Sequence, residues 1–197
     1  MIAVVDTGGA NLASVGNALE RLGRASEVTS DADRIRAASH VILPGVGAAG
    51  NSMQRIREFG LERVLPLLEQ PVLGICLGMQ LLFERSEEDD TELLGVLPGS
   101  VRALEPAPGR PVPHMGWNDT YSRDATTPEL LRGIEAQPYF YFVHSYAAPS
   151  GPWVTATCHY GTDVPACVRA RNFHGVQFHP ERSGPAGAQV LANFLAL

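Results

Sequence analysis

The stretch PVLGICLGMQLLF, residues 71–83, decides the fold. Val72 to Ile75 is an apolar run that reads as a buried strand, and from Leu77 onward the chain reads as a helix. Cys76 sits at their junction, with Gly74 and Gly78 two positions away on either side. A tight strand-to-helix turn crowds the residues beside its apex and tends to strain the apex itself, so the glycines have a steric task there. This is the arrangement known for serine as a nucleophile elbow. A thiol at a helix start also faces the positive end of the helix dipole and free amide groups, which favour its thiolate. Taken alone, Cys76 fits a buried structural role as well; a partner base has to decide.

The same rhythm extends outward. Ile2–Val5 reads as a buried strand that ends at Asp6 and the turn residues Thr7-Gly8-Gly9, and Val15, Ala18, Leu19 and Leu22 form the core stripe of a helix capped by Gly23. A strand near Ser26–Val28, a helix through Asp31–Ala38 and a strand Val41-Ile42-Leu43 stopped by Pro44-Gly45 complete a βαβαβ pattern. A helix over about Ser52–Leu68, broken near Gly60 and Pro66, leads back to the opening stretch. Buried strands alternating with helices predict an α/β fold whose sheet is largely parallel in this half. In the second half, YFYFVHSY (139–146), WVTATCHY (153–160) and ACVRARNFHGVQF (166–178) read as strands or hairpins added to that sheet, and Val190, Leu191, Phe194 and Leu195 mark a terminal helix. EPAPGRPVP (105–113) reads as a surface loop, so residues 1–197 are expected to form one domain.

Bulk properties narrow the function. The net charge is −6, with 15 Lys+Arg against 21 Asp+Glu and no basic run, which argues against nucleic acid and against an anionic membrane surface. No segment approaches the roughly 18 apolar residues of a membrane span, and the first residues carry no basic leader. The three cysteines, Cys76, Cys158 and Cys167, match neither a disulfide framework nor a metal-site spacing, which fits a reducing, cytoplasmic setting.

The base for Cys76 is sought in GVQFHPERS, residues 175–183. His179 follows an apolar strand, and Glu181 is two residues on, where an extended chain points it the same way and lets it orient the imidazole. His40, His159 and His174 lack an adjacent acid, and His114 and His144 lie in aromatic, apolar stretches; all five read as ordinary surface or core residues. Pro44-Gly45-Val46-Gly47 directly follows a strand and offers backbone amides, so Val46 and Leu77 form a candidate oxyanion hole if the two strand ends are neighbours. Neither this loop nor DTGGAN has the spacing of a nucleotide-phosphate loop, and no cofactor or metal is expected.

LPGVG, GICLGMQLLF and GVQFHPERS, in this order and separation, resemble the class I (triad) glutamine amidotransferases over essentially the whole chain. The resemblance implies a single-domain, flavodoxin-like α/β fold with a mixed, mostly parallel central sheet and helices on both faces, a Cys76–His179–Glu181 triad, glutamine held by Gly47, Gln80, Ser145 and Tyr146, and an oxyanion received by the amides of Val46 and Leu77. Within that superfamily PHMGWN (113–118), YFVHSY (141–146) and VVDTGGANLASV (4–15) look like the glutaminase subunits of imidazole glycerol phosphate synthases. That resemblance implies a heterodimer with a (β/α)8-barrel cyclase subunit that consumes the ammonia. It also places Asn11, Trp117, Tyr141 and Arg182 at the subunit interface or near the ammonia exit. On their own residues, Trp117 and Tyr141 read equally well as core aromatics. Two positions depart from the pattern: Ala48-Ala49 stand where an aromatic often follows the loop, and Arg182 stands where lysine is common. Left open are the glutaminase of another pathway, such as pyridoxal 5'-phosphate or anthranilate synthesis, a cysteine hydrolase of a different class, and a flavodoxin-like binding module with a structural Cys76.

Overall fold

In the computed structural model, which describes residues 1–8, 11–123, 127–135 and 137–197, ten strands and five helices position the site. The strands are β1 (Ile2–Val5), β2 (Ser26–Thr29), β3 (His40–Gly45), β4 (Val72–Cys76), β5 (His114–Asp119), β6 (Tyr121–Ser122), β7 (Tyr139–His144), β8 (Val154–His159), β9 (Asp163–Ala170) and β10 (Phe173–Val176). The helices are α1 (Leu12–Arg21), α2 (Ala32–Ala37), α3 (Ala49–Glu58), α4 (Leu77–Gln80) and α5 (Gly184–Phe194). The central sheet has the order β2-β1-β3-β4-β10-β9-β8-β6. Pairing is parallel from β2 through β10 and antiparallel beyond it. The parallel character of this half is the one expected from the βαβ rhythm.

Alternation along the strands sorts the core into two layers. Ala3, Val5, Val41 and Leu43 pack with Ile35 of α2 and with Met53 and Ile56 of α3 on one face. Ile2, Val4, Ile42, Leu73 and Ile75 pack with Val15 and Leu19 of α1 and with Leu191 and Phe194 of α5 on the other. Asp31 caps α2 by accepting from the amides of Asp33 and Arg34, and Gly23, at φ +69°, closes α1 with its amide on the Glu20 carbonyl. Of the turn expected at Thr7–Gly9, Gly9 lies outside the described residues.

Four expectations need correction. Pro44 and Gly45 do not stop the third strand: they pair with Ile75 and Cys76. The Pro44 carbonyl takes the Thr7 hydroxyl at 2.9 Å, past the last residue that β1 pairs, so the amide hydrogen that proline lacks is not missed. The helix expected over 52–68 begins at Ala49 and ends at Glu58, and after Gly60 (φ +65°) the chain continues only as 3₁₀ turns at 61–63 and 65–67. Residues 139–144 are not part of the central sheet. As β7 they pair antiparallel with β5 in a separate ribbon, laid over the sheet where Phe140 stacks on Phe178 at 3.9 Å. Finally, α4 is a single turn of four residues, after which the Leu82 and Phe83 amides bond only to the third residue back.

Candidate active site

Cys76 stands at the carboxyl end of β4, in the middle of the parallel sheet, with φ 54° and ψ −111°. A side chain held in this sparsely populated region costs of order 1–3 kcal/mol, and the glycines around it show how the chain holds the turn in place. A Cβ on Gly74 would sit 2.5 Å from the Gly78 carbonyl oxygen. One on Gly78 would sit 1.7 Å from the Leu43 carbonyl oxygen, and one on Gly45 2.7 Å from the Gly78 nitrogen. The elbow is thus seated on bare backbone from two strands, β3 and β4. Since α4 is one turn long, it carries only a small part of a helix dipole, and the electrostatic partner left to the thiol is a side chain.

That side chain is His179. It follows β10, the direct parallel neighbour of β4, with Val176 opposite Ile75. Functional groups in open α/β sheets gather at these carboxyl ends, and here two adjacent strands deliver the thiol and the imidazole. His179 Nδ1 is 2.8 Å from Glu181 Oε1, and the side-chain amide of Asn11 donates to the same oxygen at 2.8 Å. The His179 backbone is braced as well: its amide donates to the Tyr141 carbonyl, and its carbonyl accepts from Ser183 Oγ, which in turn accepts from the Tyr141 amide. The other ring nitrogen, Nε2, is buried without a hydrogen-bond partner, and His179 lines the same cavity as Cys76.

Burial by itself would lower the His179 pKa, but Cys76 and the Glu181 carboxylate outweigh it and push it up to about 10. Burial would raise that of Glu181, and the imidazolium and the Asn11 amide bring it below the usual carboxylate range. A raised histidine stabilises the fold below its unfolded value of 6.5 and loses that contribution as pH rises toward 10; a lowered carboxylate stabilises above 4.5 and loses it as pH falls. The melting-temperature advantage of the parent over Glu181→Gln is therefore expected to peak between pH 4.5 and 6.5 and to shrink on both sides. A pH series of melts on the two proteins checks this, and a flat difference would show that the pair is not ionised. Burial pushes the Cys158 thiol up to about 12 and that of Cys167 higher still.

Cys76 and His179 open onto a cavity of about 470 Å³. The register pair Gly45–Cys76 sets Val46 and Leu77 side by side, each one residue further on, and both line the cavity with Gly47. Gln80, Ser145 and Tyr146 line it too; Gln80 Nε2 donates to the Tyr146 carbonyl at 2.9 Å and to Gln177 Oε1 at 3.0 Å. All eight residues expected to carry chemistry or hold substrate, beside Glu181 behind the imidazole, thus meet at one cavity. The four expected at an interface divide. Asn11 is buried on Glu181 and Arg182 borders the cavity, whereas Trp117 and Tyr141 do not line it. They are register partners on β5 and β7 with rings 6.2 Å apart, and Trp117 is 56% exposed, which removes the core reading for that residue.

Three residues at the site had escaped sequence reasoning. Gln177 is fully buried and donates to Cys76 Sγ at 3.6 Å. Glu88 lines the cavity and accepts the Ala49 amide at 2.7 Å, at the start of α3 just after the Val46–Gly47 loop. His144 lines the cavity from the end of β7. Gln177 had a usable signal, since it lies two residues before His179 on an extended segment; Glu88, in the acidic run SEEDD, and His144 had none.

Comparison with known proteins agrees with this geometry. The glutamine amidotransferase class-I family matches residues 3–197. The imidazole glycerol phosphate synthase subunit HisH 2 of Legionella pneumophila (strain Paris) is 50% identical, with 100% of this chain and 98% of that protein covered. The corresponding HisH subunit of Escherichia coli (strain K12) is 49% identical over 100% of this chain and 99% of its own length. A solved glutamine amidotransferase superposes with a TM-score of 0.75 at 22% identity, covering 99% of this chain and 97% of that one, and so shares the fold. A cysteine elbow, a histidine–glutamate pair just beyond the neighbouring strand and full-length similarity converge on one conclusion: the chain belongs to the class I glutamine amidotransferase family, in the branch of the HisH subunits.

Proposed function

We propose that the chain is the cytoplasmic glutaminase subunit of an imidazole glycerol phosphate synthase, hydrolysing L-glutamine through Cys76, His179 and Glu181 and passing ammonia to a (β/α)8-barrel cyclase subunit. The observation that carries it is the Glu181-bound His179 placed beside Cys76 at the wall of a cavity large enough for an amino acid. The Cys76 thiolate attacks the carboxamide carbon of glutamine, and the amides of Val46 and Leu77 receive the oxyanion. Protonated His179 gives its proton to the departing nitrogen, ammonia leaves and a thioester remains. His179 then takes a proton from water, the resulting hydroxide attacks the thioester, and glutamate leaves as the Cys76 thiolate is restored beside protonated His179. Glu181 orients and stabilises the imidazolium throughout.

A docking face for the cyclase is supported by the β5–β7 ribbon. Met115, Trp117 and Tyr139 are 66%, 56% and 56% exposed, and with Tyr141 and Val143 they share one face of it. Val143 also lines the cavity, so this apolar face runs to the edge of the site where ammonia is released. No helix among the described residues is long and apolar enough to cross a membrane. Glutamate release by the chain alone is expected to be weak and to rise by about tenfold or more when the cyclase subunit and its nucleotide-like ligand are added. A glutamine-like diazo-ketone is expected to label Cys76 and no other cysteine. Full activity without the partner, or labelling elsewhere, argues for a different hydrolase.

A further inference from the structure

We propose that His114 is a positioning residue for glutamine: through a hydrogen bond whose direction its neighbours dictate, it holds His144 against the Tyr146 carbonyl and so sets the substrate-facing segment Ser145–Tyr146. The proposal rests on the glutaminase reading of the cavity. His114 does not line the cavity; it stands on β5, opposite His144 in the ribbon register.

The direction follows from the fixed end of the chain of contacts. A carbonyl can only accept, so at 2.8 Å from the Tyr146 carbonyl His144 Nδ1 carries the hydrogen. Neutral His144 then has Nε2 free to accept, and His114 Nδ1, 2.9 Å away, must donate to it. His114 Nε2 is left as an acceptor and faces the Asn118 side-chain nitrogen at 3.3 Å. The orientation of that amide is settled twice, by its nitrogen on the His159 carbonyl at 3.0 Å and by its oxygen on the Asp119 amide at 2.9 Å. Burial keeps both imidazoles neutral, lowering His114 to about 4 and His144 to about 3. Every donor in the chain meets an acceptor, and it ends on the carbonyl that also takes the Gln80 amide. Two elements of the glutamine cavity are therefore tied to one oxygen atom whose position depends on His114.

Two substitutions separate this role from packing. His114 is sandwiched by Phe142 and Tyr160, with ring centroids at 4.9 and 4.0 Å. His114→Phe keeps that stack and removes the donor; His114→Asn keeps a donor near the Nδ1 position and removes most of the stack. With the cyclase subunit present, the Asn variant is expected to keep the parent's KM for glutamine within about threefold, and the Phe variant to raise it about tenfold with little change in kcat. In ¹⁵N and ¹H spectra the His144 proton is expected on Nδ1 and hydrogen-bonded in the parent and the Asn variant, and the Nδ1–H signal to lose its hydrogen-bonded shift in the Phe variant as the ring turns from the Tyr146 carbonyl. A Phe variant with the parent's KM, or an Asn variant as impaired as Phe, overturns the proposal. Should the Phe variant fail to fold, the Asn variant's KM and the parent tautomer decide: a His144 proton on Nε2 in an active parent overturns the positioning role alone. Absence of glutamine hydrolysis in the parent overturns the functional reading and this role with it.

Discussion

Cys76→Ala is expected to reduce glutamate release by roughly 10⁴- to 10⁶-fold, because the covalent route disappears and only cavity binding and oxyanion donors remain. That range corresponds to about 5–8 kcal/mol of lost transition-state stabilisation. Binding should survive. The thiol makes two weak contacts, accepting from Gln177 Nε2 at 3.6 Å and donating to the Val143 carbonyl at 3.7 Å, and alanine at φ 54° is no more crowded than the cysteine it replaces. The variant should therefore melt within a few degrees of the parent, bind glutamine, and still form a complex with the cyclase subunit. Glutamate release, calorimetric titration with glutamine and co-purification are the three measurements. Residual turnover above roughly one per cent of the parent sinks the assignment of Cys76 as nucleophile, since water attack in an otherwise intact site does not reach that level.

Much of the site was legible because its core is written locally. The frame Gly74-x-Cys76-x-Gly78 encodes a turn, and His179-Pro180-Glu181 encodes an imidazole with a carboxylate beside it; each needs only a few residues to be recognised. The parallel half of the sheet was legible for the same reason, its helices and strands following one another at short range. What was not legible depends on pairing between distant segments. The ribbon of β5 and β7 joins residues on either side of a stretch of about twenty residues, so β7 looked like another strand of the main sheet. His144 looked like a core histidine because its partners, His114 and the Tyr146 carbonyl, are set by that ribbon. Glu88 reaches the cavity only because a small sheet of Arg85–Ser86, Thr91–Glu92, Ser100–Ala103 and Tyr146–Ala147 folds its loop back toward α3. The local helical stripe misled in the opposite sense: Leu81, Leu82 and Phe83 continue the apolar spacing after α4, yet the Leu94 and Leu97 amides take the carbonyls of Leu81 and Leu82. Tertiary bonds replace the helix there.

Gly78→Ala is expected to damage both stability and activity, and to do so although alanine is the better helix former. In an isolated helix the change favours folding by about 1 kcal/mol. Here the added Cβ would lie 1.7 Å from the Leu43 carbonyl oxygen and 2.8 Å from its carbon. The obstacle is backbone of β3, paired on one side with β1 and on the other with β4, so it cannot swing aside as a side chain could. The cost exceeds the usual 1–3 kcal/mol of overpacking, and about 4 kcal/mol lowers the melting temperature by roughly 8–16 °C in a chain of this size. If the chain folds by lifting α4 off the sheet, Cys76 and the Leu77 amide move with it. A displacement of about 1 Å is enough to cost about 100-fold in rate. Thermal melting and glutamate release measured together test this. The control is Gly16→Ala in α1, where nothing lies within 4 Å of the added Cβ and stability should be unchanged or slightly raised. A Gly78→Ala protein with the parent's melting temperature and turnover would mean that α4 does not sit tightly on β3, and that the strained geometry of Cys76 is not held by the glycine seat beneath it.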